Sequence, residues 1–457
     1  MLKIIDIKKG RKVLLLIIVF IFTGIRVMAQ TINLEQARSL ALANSRSLAK
    51  YNLAVQSSVL DTRSQLYSNL PSLSLGASAS MSLWNAGDEP AVDPSETFRA
   101  GANFSVSQKI FEGGKSIVQK AINELATETA RRDALAEYFS VLNAVDSAYY
   151  AALEAAADLE AAESALQTAD LSLSIAEVRH TSGVISRGDY LKALADRESS
   201  ETSRNQARRN YSLNNAKLKS LTGLNEAAGF NVEQVDFSGY EELILRLGSI
   251  TDAEADYLYG ELREIAAAAN PALAKAGLSS QRAEKNLSLS KLDFSPSLSA
   301  SFSTGLNYAP SNGIEPSGGS VSISGSIPLD FWVTANNVAK SKIARDTAAL
   351  DYYTAENSLE TELQSALFNT IAQAGSAASS RRALEYAEKH FEYIMERYRL
   401  SQSSVSELSD ASALVSSNRS QFIKARYGFL QSLSTLRSLG AFEDEEILMQ
   451  LLRGNGP

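Results

Sequence analysis

This 457-residue chain contains no cysteine, two histidines, two tryptophans and nine prolines. Without cysteine, an exported chain folds without disulfides and has no lipobox residue to carry an acyl anchor. His180 and His390 are too far apart in sequence for a metal-binding motif, and neither an HExxH pattern nor a phosphate-binding glycine loop occurs. We therefore expect no catalytic activity, no metal site and no cofactor.

Beyond the N-terminus, the sequence has no apolar run long enough to cross a bilayer as a helix. At the N-terminus, a basic cluster at residues 8–12 precedes an apolar run at residues 13–25, and Val27-Met28-Ala29 resembles a small-residue cleavage site. This pattern predicts a signal peptide over residues 1–29. The alternative, an uncleaved anchor helix, is disfavoured because a spanning helix needs about 20 apolar residues.

The chain is acidic, with a formal net charge of −8. The predicted signal peptide holds six basic residues and one acidic residue, so its removal lowers the net charge to −13. A chain this acidic is a poor ligand for nucleic acid or for anionic lipid surfaces. Nucleic acid is therefore not an expected partner, and membrane attachment must come from the strands described next.

Two similar segments lie 225 positions apart: PSLSLGASASMSLW from Pro71 and PSLSASFSTGLNY from Pro296. In both, serine, glycine or asparagine alternates with apolar residues. Successive side chains of a strand point to opposite faces, so each segment has one apolar and one polar face. Such alternation over about a dozen residues is typical of a barrel wall with lipid outside and water inside.

Each of these strands is followed by a loop and a second alternating segment. We predict strand pairs at 71–84 with 98–111 and at 296–308 with 320–331, joined by loops rich in proline and glycine. Trp84 and Tyr308 close the first strand of each pair. Both fit an aromatic girdle at a membrane interface, with ordinary strand packing as an equal alternative.

Long proline-free segments follow each strand pair. Residues 115–180 and 333–399 each predict a helix of about 100 Å, and each is followed by a break and a returning helix, at 186–221 and 405–439. Helices of this length need neighbours, because burial supplies most of their stability. Shorter helical regions precede the strands, at 34–68 and 253–292. The predicted parts are a signal peptide (1–29), a first repeat (30–223), a connector (224–252), a second repeat (253–440) and a C-terminal tail (441–457).

Four strands cannot close a membrane barrel, since about eight is the smallest number known. An open sheet edge in lipid leaves backbone groups unpaired, at a cost of several kcal/mol each. The sequence therefore predicts that several chains share one barrel, without giving their number.

Four motifs in the first half of the chain, followed by a second copy of the same arrangement of elements, carry a family resemblance. They are NLEQARSLALANS near the start, LPSLSL before the first strand, SQKIFEGGKS at the entry to the long helix and HTSGVISRGDYLKA at the helix break. In this order they resemble the TolC-like outer-membrane efflux family, over almost the whole mature chain. The resemblance implies an α+β membrane protein: a homotrimer with a shared 12-stranded β-barrel in the outer membrane of a diderm bacterium and an α-helical tunnel in the periplasm. It further implies docking onto a periplasmic adaptor and an inner-membrane transporter of the RND, ABC or MFS type, as the exit duct for efflux or type I secretion. By family analogy, the connector (224–252) and the C-terminal tail (441–457) form an equatorial belt around the middle of the tunnel.

The resemblance also implies a gate at the tip of the helical hairpins. In relatives, an aspartate of the first hairpin bonds a tyrosine of the second, and Asp189 and Tyr398 occupy these positions. Two acids at i and i+3 line the constriction, where Glu407 and Asp410 match. Ser403 stands where relatives usually have an arginine, a departure that weakens the implied closed-state network.

Other positions at the tip are implied to contact the adaptor. Gly183 and Val184 belong to the turn of the first hairpin, and Ser401 and Gln402 to that of the second. The second turn lacks the small glycine of the first, so its fit to an adaptor is less close.

Three copies of Glu407 and Asp410 would form a ring of six carboxylates, which focuses negative potential in a narrow aqueous path. On this hypothesis, divalent cations block the closed tip. The alternative interpretation is that both acids are solvated residues near a helix start, where negative charge interacts well with the helix dipole.

Two other classes of protein compete with the duct. A membrane-anchored coiled-coil stalk, structural or adhesive, also uses long alanine-rich helices, but it needs neither a duplication nor two strand pairs. A periplasmic adaptor carries one helical hairpin within β-rich domains and lacks alternating membrane strands. A surface enzyme is the remotest class, since no catalytic constellation is present.

Overall fold

The computed structural model of this chain describes residues 30–81, 97–224, 230–400 and 402–454. The predicted signal peptide, Trp84 and Ser401 lie outside these residues. Two compact units are present: residues up to Arg46 with Tyr138–Ala266 and Thr361 onward, and Ser47–Glu137 with Ala267–Glu360. Each unit takes segments from both predicted repeats, and the division into repeats stays a prediction. Among the described helices, none has both the length and the hydropathy needed to cross a bilayer.

The described helices follow the predicted order. In chain order they are α1 (Leu34–Asn44), α2 (Arg46–Tyr67), α3 (Lys115–Thr181), α4 (Arg187–Thr222), α5 (Ser238–Leu247), α6 (Asp252–Ala269), α7 (Pro271–Lys291), α8 (Phe331–Arg399), α9 (Val405–Leu439) and α10 (Glu445–Leu452). The long helices α3 and α8 begin and end within two residues of the predicted spans. The predicted helical region at 253–292 is divided, because Asn270 caps a new helix that has Pro271 in its first turn.

The strands form two sheets in the described residues. A short parallel pair joins β1 (Gln30–Ile32) to β4 (Phe230–Val232). The strands β2 (Ser72–Ser80), β3 (Arg99–Phe111), β5 (Ser297–Ala309) and β6 (Gly313–Ser326) form a four-stranded antiparallel sheet in the order β2-β3-β5-β6. The two predicted strand pairs therefore join through β3 and β5 into one sheet.

The register of the four-stranded sheet separates apolar from polar residues. On one face, with Gln108 and Thr304 as exceptions, the paired residues of β2, β3 and β5 are leucine, alanine, phenylalanine, valine and tyrosine. This apolar face is open in the single chain, with Leu75 81% exposed and Val321 of β6 77% exposed. On the other face, serine, asparagine and glycine predominate, and the charged residues are Arg99, Lys109 and Glu315.

Serine hydroxyls pair across neighbouring strands on the polar face. The oxygen–oxygen distances are 2.6 Å for Ser74–Ser105, 2.9 Å for Ser297–Ser326, 3.2 Å for Ser299–Ser324, 2.8 Å for Ser301–Ser322 and 2.8 Å for Ser303–Ser320. Cross-strand hydroxyl pairs of this kind stabilise a sheet. The serines thus complete the polar face with hydrogen bonds and leave it free of net charge along most of its length.

The predicted bounds of the fourth strand are wrong. We expected a loop at 309–319 and a strand at 320–331, but β6 already begins at Gly313, which has a φ of +71° in the turn after β5. Proline and glycine favoured a loop at this place. Within the single chain, however, β6 is an edge strand, which is one of the places where a sheet tolerates a proline such as Pro316. A register shift opposite Ser303 and Gly305 absorbs one additional β6 residue.

The connector and the C-terminal tail both contribute to the main core of their unit. Leu243 and Leu247 of α5 and Leu448 of α10 are fully buried in one apolar cluster, which also contains residues of α1, α3, α6, α8 and α9. The two short helices α5 and α10 also contact each other. The belt that these segments form by family analogy stays a prediction, but both are integral parts of the folded unit.

A buried ion-pair network lies beside this core. Arg38 of α1, 6% exposed, donates two hydrogen bonds of 2.7 Å to the carboxylate of the fully buried Asp146 in α3. Ser434 donates to the same carboxylate at 2.7 Å, and Glu445 of α10 lies 3.2 Å from Arg38. Burial is the largest influence on the Arg38 guanidinium, but its carboxylate partners raise its pKa overall. Since each buried charge is paired, the network fixes α10 against α1 and α3.

Candidate functional site

The turns of the two helical hairpins are built in the same way. At the end of α3, the Val184 amide donates to the Arg179 carbonyl at 2.8 Å, and the Gly183 amide donates to the His180 carbonyl at 3.0 Å. This is a Schellman motif, which requires a residue with positive φ, and Gly183 has a φ of +74°. At the end of α8, the Gln402 amide makes the matching 2.8 Å bond to the Arg397 carbonyl.

Both returning helices begin with a capping box. Ser186 accepts from the amide of Asp189 at 3.1 Å, and the Asp189 carboxylate accepts from the amide of Ser186 at 3.3 Å. At the start of α9, Ser404 and Glu407 repeat the arrangement, at 3.1 Å and 3.0 Å. The two boxes are 218 positions apart and stabilise helix starts directly after the turns.

Apolar side chains from both hairpins meet next to these turns. We call this group the tip cluster: Ala176, Ala193, Ile394, Met395, Tyr398, Val405, Leu408 and Ala411. Tyr398 is its largest member and is fully buried, with 0% exposure. Since α3 and α4 contribute as well as α8 and α9, the tip cluster joins the first hairpin to the second.

Arg179 makes a second connection between the hairpins. Its guanidinium lies 4.3 Å from the centre of the Tyr398 ring, within the range of a cation–π interaction. It also donates a hydrogen bond to the Tyr398 carbonyl, one of the carbonyls at the C-terminal end of α8 that lack a helical partner. Arg397 occupies the matching position of the second repeat, yet it donates at 2.7 Å to the Gln402 carbonyl of its own turn.

The structure brings Asp189 and Tyr398 to the same cleft, but the expected hydrogen bond between these two described residues is absent. The Asp189 carboxylate instead accepts from the Ser186 hydroxyl at 2.8 Å, and the buried Tyr398 hydroxyl has no hydrogen-bond partner among the described residues. Burial raises the pKa of the Tyr398 phenol, while Arg179 opposes this shift. Ser172 also favours the ionised phenol, but its geometry falls short of a hydrogen bond.

The acidic residues of the second hairpin are exposed in the single chain. Glu407 and Asp410 lie on α9 at the predicted spacing of three. Ser403, where the resemblance leads us to expect an arginine, donates to the Glu407 carboxylate. This bond and the Ser404 amide lower the pKa of Glu407. Together with Arg179, Asp189 and Tyr398, Ser403 and Glu407 line a cleft of about 520 Å³.

The other predicted site residues have the following places. Val184 is 61% exposed at the first turn, and Gln402 is exposed at the second. Tyr308 lies on the apolar face of the sheet, 37% exposed, with its ring centre 6.0 Å from that of Phe98. Trp84 and Ser401 are outside the described residues. The roles in gating, adaptor contact and membrane girdle stay predictions.

Arg179 is a functional candidate that the sequence motifs do not reveal. The alignment of Arg179 with Arg397 was visible in the sequence, but identical residues at matching positions predict identical contacts. Only the fold shows that one arginine crosses to the other hairpin and the other does not. No pattern in the sequence distinguishes the two.

Comparison with known proteins identifies the family. The sequence profile described as outer membrane efflux protein matches residues 37–224 and 262–441, which is most of the chain. The chain belongs to this outer membrane efflux family. The family consists of channels rather than enzymes, and its members support the predicted α+β, TolC-like fold. Among curated proteins, no sequence matches this efflux protein significantly.

Solved structures of outer membrane channels share the fold. The Campylobacter jejuni CmeC outer membrane channel is 17% identical with a TM-score of 0.73, over 93% of this chain and 90% of that one. The Vibrio cholerae outer membrane protein VceC is 16% identical with a TM-score of 0.70, over 89% and 96%. The open state of the Neisseria gonorrhoeae MtrE channel is 17% identical with a TM-score of 0.64, over 89% and 88%. At such identities the likeness concerns the fold alone.

Proposed function

We propose that this efflux-family chain forms a homotrimeric channel-tunnel in the outer membrane of a diderm bacterium, with most of each chain in the periplasm. In this role it is the passive exit duct of a tripartite efflux or type I secretion system. An inner-membrane transporter supplies the energy and a periplasmic adaptor joins it to the duct. The tip of the helical hairpins is the gate.

The four-stranded sheet is the observation that best supports a membrane channel shared by three chains. Its one nearly continuous apolar face, with Leu75 and Val321 largely exposed, matches a surface that contacts outer-membrane lipid. Its polar face of paired serine hydroxyls matches a water-filled interior. The free edges β2 and β6 run in opposite directions, since each strand is antiparallel to its neighbour. Edge-to-edge pairing of three copies therefore continues the antiparallel pattern into 12 strands without a free edge.

The tip is the proposed gate because it concentrates acidic side chains on one hairpin. Glu407 stays ionised, since hydrogen bonds from Ser403 and Ser404 lower its pKa. With Asp410 one helical turn further on, three copies provide six carboxylates around a common axis. Such a ring favours the passage or binding of cations and disfavours anions. The polar face of the sheet holds few charges, so the sheet contributes little to charge selectivity.

Adaptor contact is assigned to the exposed turns. Val184 and Gln402 project at the ends of the hairpins, and neither belongs to the tip cluster. A partner can therefore bind the turns, at Gly183–Val184 and Ser401–Gln402, and act on the packing beneath them.

The first test measures single-channel conductance of the detergent-extracted protein in a planar bilayer, with its oligomeric state determined in parallel. We expect trimers and a small, cation-preferring conductance. The Glu407→Ala/Asp410→Ala variant should conduct more or lose its cation preference. If the variant conducts as the wild type does, the duct stands and the gate lies elsewhere.

Two other results would support a different function. No conductance from an intact oligomer would favour a membrane-anchored stalk, and recovery from the soluble periplasmic fraction would favour an adaptor. A fractionation experiment with the native signal peptide distinguishes these outcomes before any conductance is measured.

A further inference from the structure

The two hairpins use equivalent arginines in different ways. Arg179 and Arg397 are 218 positions apart and lie in the last turns of α3 and α8, respectively. Arg397 donates at 2.7 Å to the carbonyl of Gln402, five residues away in its own turn. Arg179 reaches across to the other hairpin, where it covers the Tyr398 ring at 4.3 Å and donates to the Tyr398 carbonyl.

We propose that Arg179 is the latch of the closed tip: it holds the end of α8 against the first hairpin. It takes the role that the resemblance gives to an arginine at position 403, where this chain has serine. The inference rests on the proposed gate. In this inference, the two hairpins are connected through the backbone carbonyl and the ring of Tyr398, and not through the Tyr398 hydroxyl. Arg179 acts by positioning α8, because it contacts Tyr398 and not a transported molecule.

The geometry supports a latch with two interactions. The planar guanidinium faces the ring while one of its N–H groups is directed at the carbonyl, a combination that a lysine ammonium cannot reproduce. The carbonyl belongs to the last turn of α8, where a positive charge also interacts favourably with the helix dipole. Because Tyr398 is fully buried in the tip cluster, displacement of Arg179 frees one edge of that cluster.

Ser403 cannot perform the same task. Its hydroxyl donates to Glu407, four residues away on its own hairpin. Asp189 is likewise occupied by Ser186 in its own capping box. Among these described polar residues of the cleft, Arg179 is the one whose hydrogen bond crosses between the hairpins.

The test uses Arg179→Gln in the full-length trimer, with two readouts. The natural chain has no cysteine, so Ala193→Cys places a single thiol in the tip cluster, at a position 3% exposed. In the Arg179→Gln background, we expect maleimide labelling of this thiol to accelerate about tenfold, as the loss of a charged hydrogen bond allows. Conductance in planar bilayers should rise in parallel.

Two matched controls separate the latch from nearby contacts. Arg397→Gln removes the equivalent arginine of the second hairpin, and Tyr398→Phe removes a hydroxyl that makes no hydrogen bond to any residue the structure describes. Both should label and conduct within about twofold of the wild type. If Arg397→Gln equals Arg179→Gln in effect, or if Tyr398→Phe alone opens the tip, the latch proposal is overturned.

The outcomes also distinguish this inference from the proposed function. A wild-type trimer that does not conduct removes the proposed function, while slow thiol labelling that accelerates in Arg179→Gln still supports the latch. The wild type could conduct, with a conductance that Glu407→Ala/Asp410→Ala changes and Arg179→Gln does not. This result would refute the latch alone and leave the proposed function in place. If Arg179→Gln does not assemble into trimers, Arg179→Lys replaces it in the test. Lysine keeps the positive charge but lacks the planar, forked guanidinium. Labelling as slow as in the wild type would then refute the proposal.

Discussion

The two hairpin tips have the same kind of turn and helix cap, but they differ in whether the aromatic residue next to the turn packs into the tip cluster. Both have a turn closed by the same backbone bond and a capping box 218 positions apart. In the first hairpin, His180 stacks on Tyr190 of its own hairpin, with ring centres 5.3 Å apart. At the matching position of the second, Tyr398 is buried against the first hairpin.

The two hairpins also differ in the charged residues at matching positions of their returning helices. Where the second hairpin has Glu407 and Asp410, the first has Asp189 and Lys192, and Lys192 lies 3.5 Å from Asp196. At these positions the first hairpin has one acidic and one basic residue and provides Arg179, while the second provides a buried ring and two exposed acids. The two hairpins thus have the same caps, whereas their side chains at matching positions differ: the first provides Arg179 and the second provides the acids.

The largest effect should come from Tyr398→Ala. Removal of a fully buried aromatic ring leaves a cavity in the tip cluster, and such changes cost on the order of 3–5 kcal/mol. We expect the local opening free energy of the α9 N-terminus to fall by this order, measured by hydrogen exchange of the intact trimer.

His180→Ala is the matched control for Tyr398→Ala. It removes one half-buried aromatic pair, which contributes about 1 kcal/mol. Equal losses from the two substitutions would contradict the division of the tips into a fully buried and a half-buried aromatic position.

The next effect concerns divalent cations. If the second hairpin alone supplies the acidic ring, millimolar Mg²⁺ should block wild-type conductance. Glu407→Gln/Asp410→Asn should raise the half-blocking concentration on the order of tenfold or more, because the focused negative potential is lost. Asp189→Asn changes an acid of the first hairpin and should leave the block in place. A block that is indifferent to the double variant, or conductance that is indifferent to Mg²⁺, would refute the ring.

Capping should have a smaller effect, of similar size in both tips. Ser186→Ala and Ser404→Ala each remove the side-chain acceptor of a capping box, which typically costs about 1 kcal/mol. Hydrogen exchange in the first turns of α4 and α9 measures each loss locally. Glycine at the same positions costs only a few tenths of a kcal/mol, so Ser186→Gly and Ser404→Gly test that capping is responsible. A loss confined to one hairpin would mean that the two caps are not equivalent.

The sequence predicted the elements well because their signals are local. Period-two alternation located β2, β3 and β5, and absence of proline with abundant alanine located α3 and α8. The start of β6 was missed because Pro316 reads as a loop residue until the strand is known to be an edge. The Arg38–Asp146 pair, 108 positions apart, and the reach of Arg179 across to Tyr398 depend on packing between distant segments. No periodicity encodes such contacts.

The smallest expected effect is electrostatic and concerns one hydroxyl. Ile185 of the first hairpin matches Ser403 of the second, so only the second capping box receives an additional donor. Hydrogen bonds from Ser403 and the Ser404 amide lower the pKa of Glu407. The ionised carboxylate therefore stabilises the start of α9 at any pH above its ordinary pKa of 4.5. This contribution disappears as the pH falls through the lowered value.

Ser403→Ala should raise the pKa of Glu407 toward its ordinary value while leaving it lowered, because the Ser404 amide still donates. The loss of helix-start stability on acidification should then begin at a higher pH. A ¹³C NMR titration of glutamate carboxyl groups, with Glu407→Gln for assignment, measures the shift. Ser406→Ala, an exposed serine of the same turn, is the matched control. An unchanged Glu407 titration in Ser403→Ala would mean that the Ser404 amide alone lowers the pKa, and the two capping boxes would then be electrostatically equivalent.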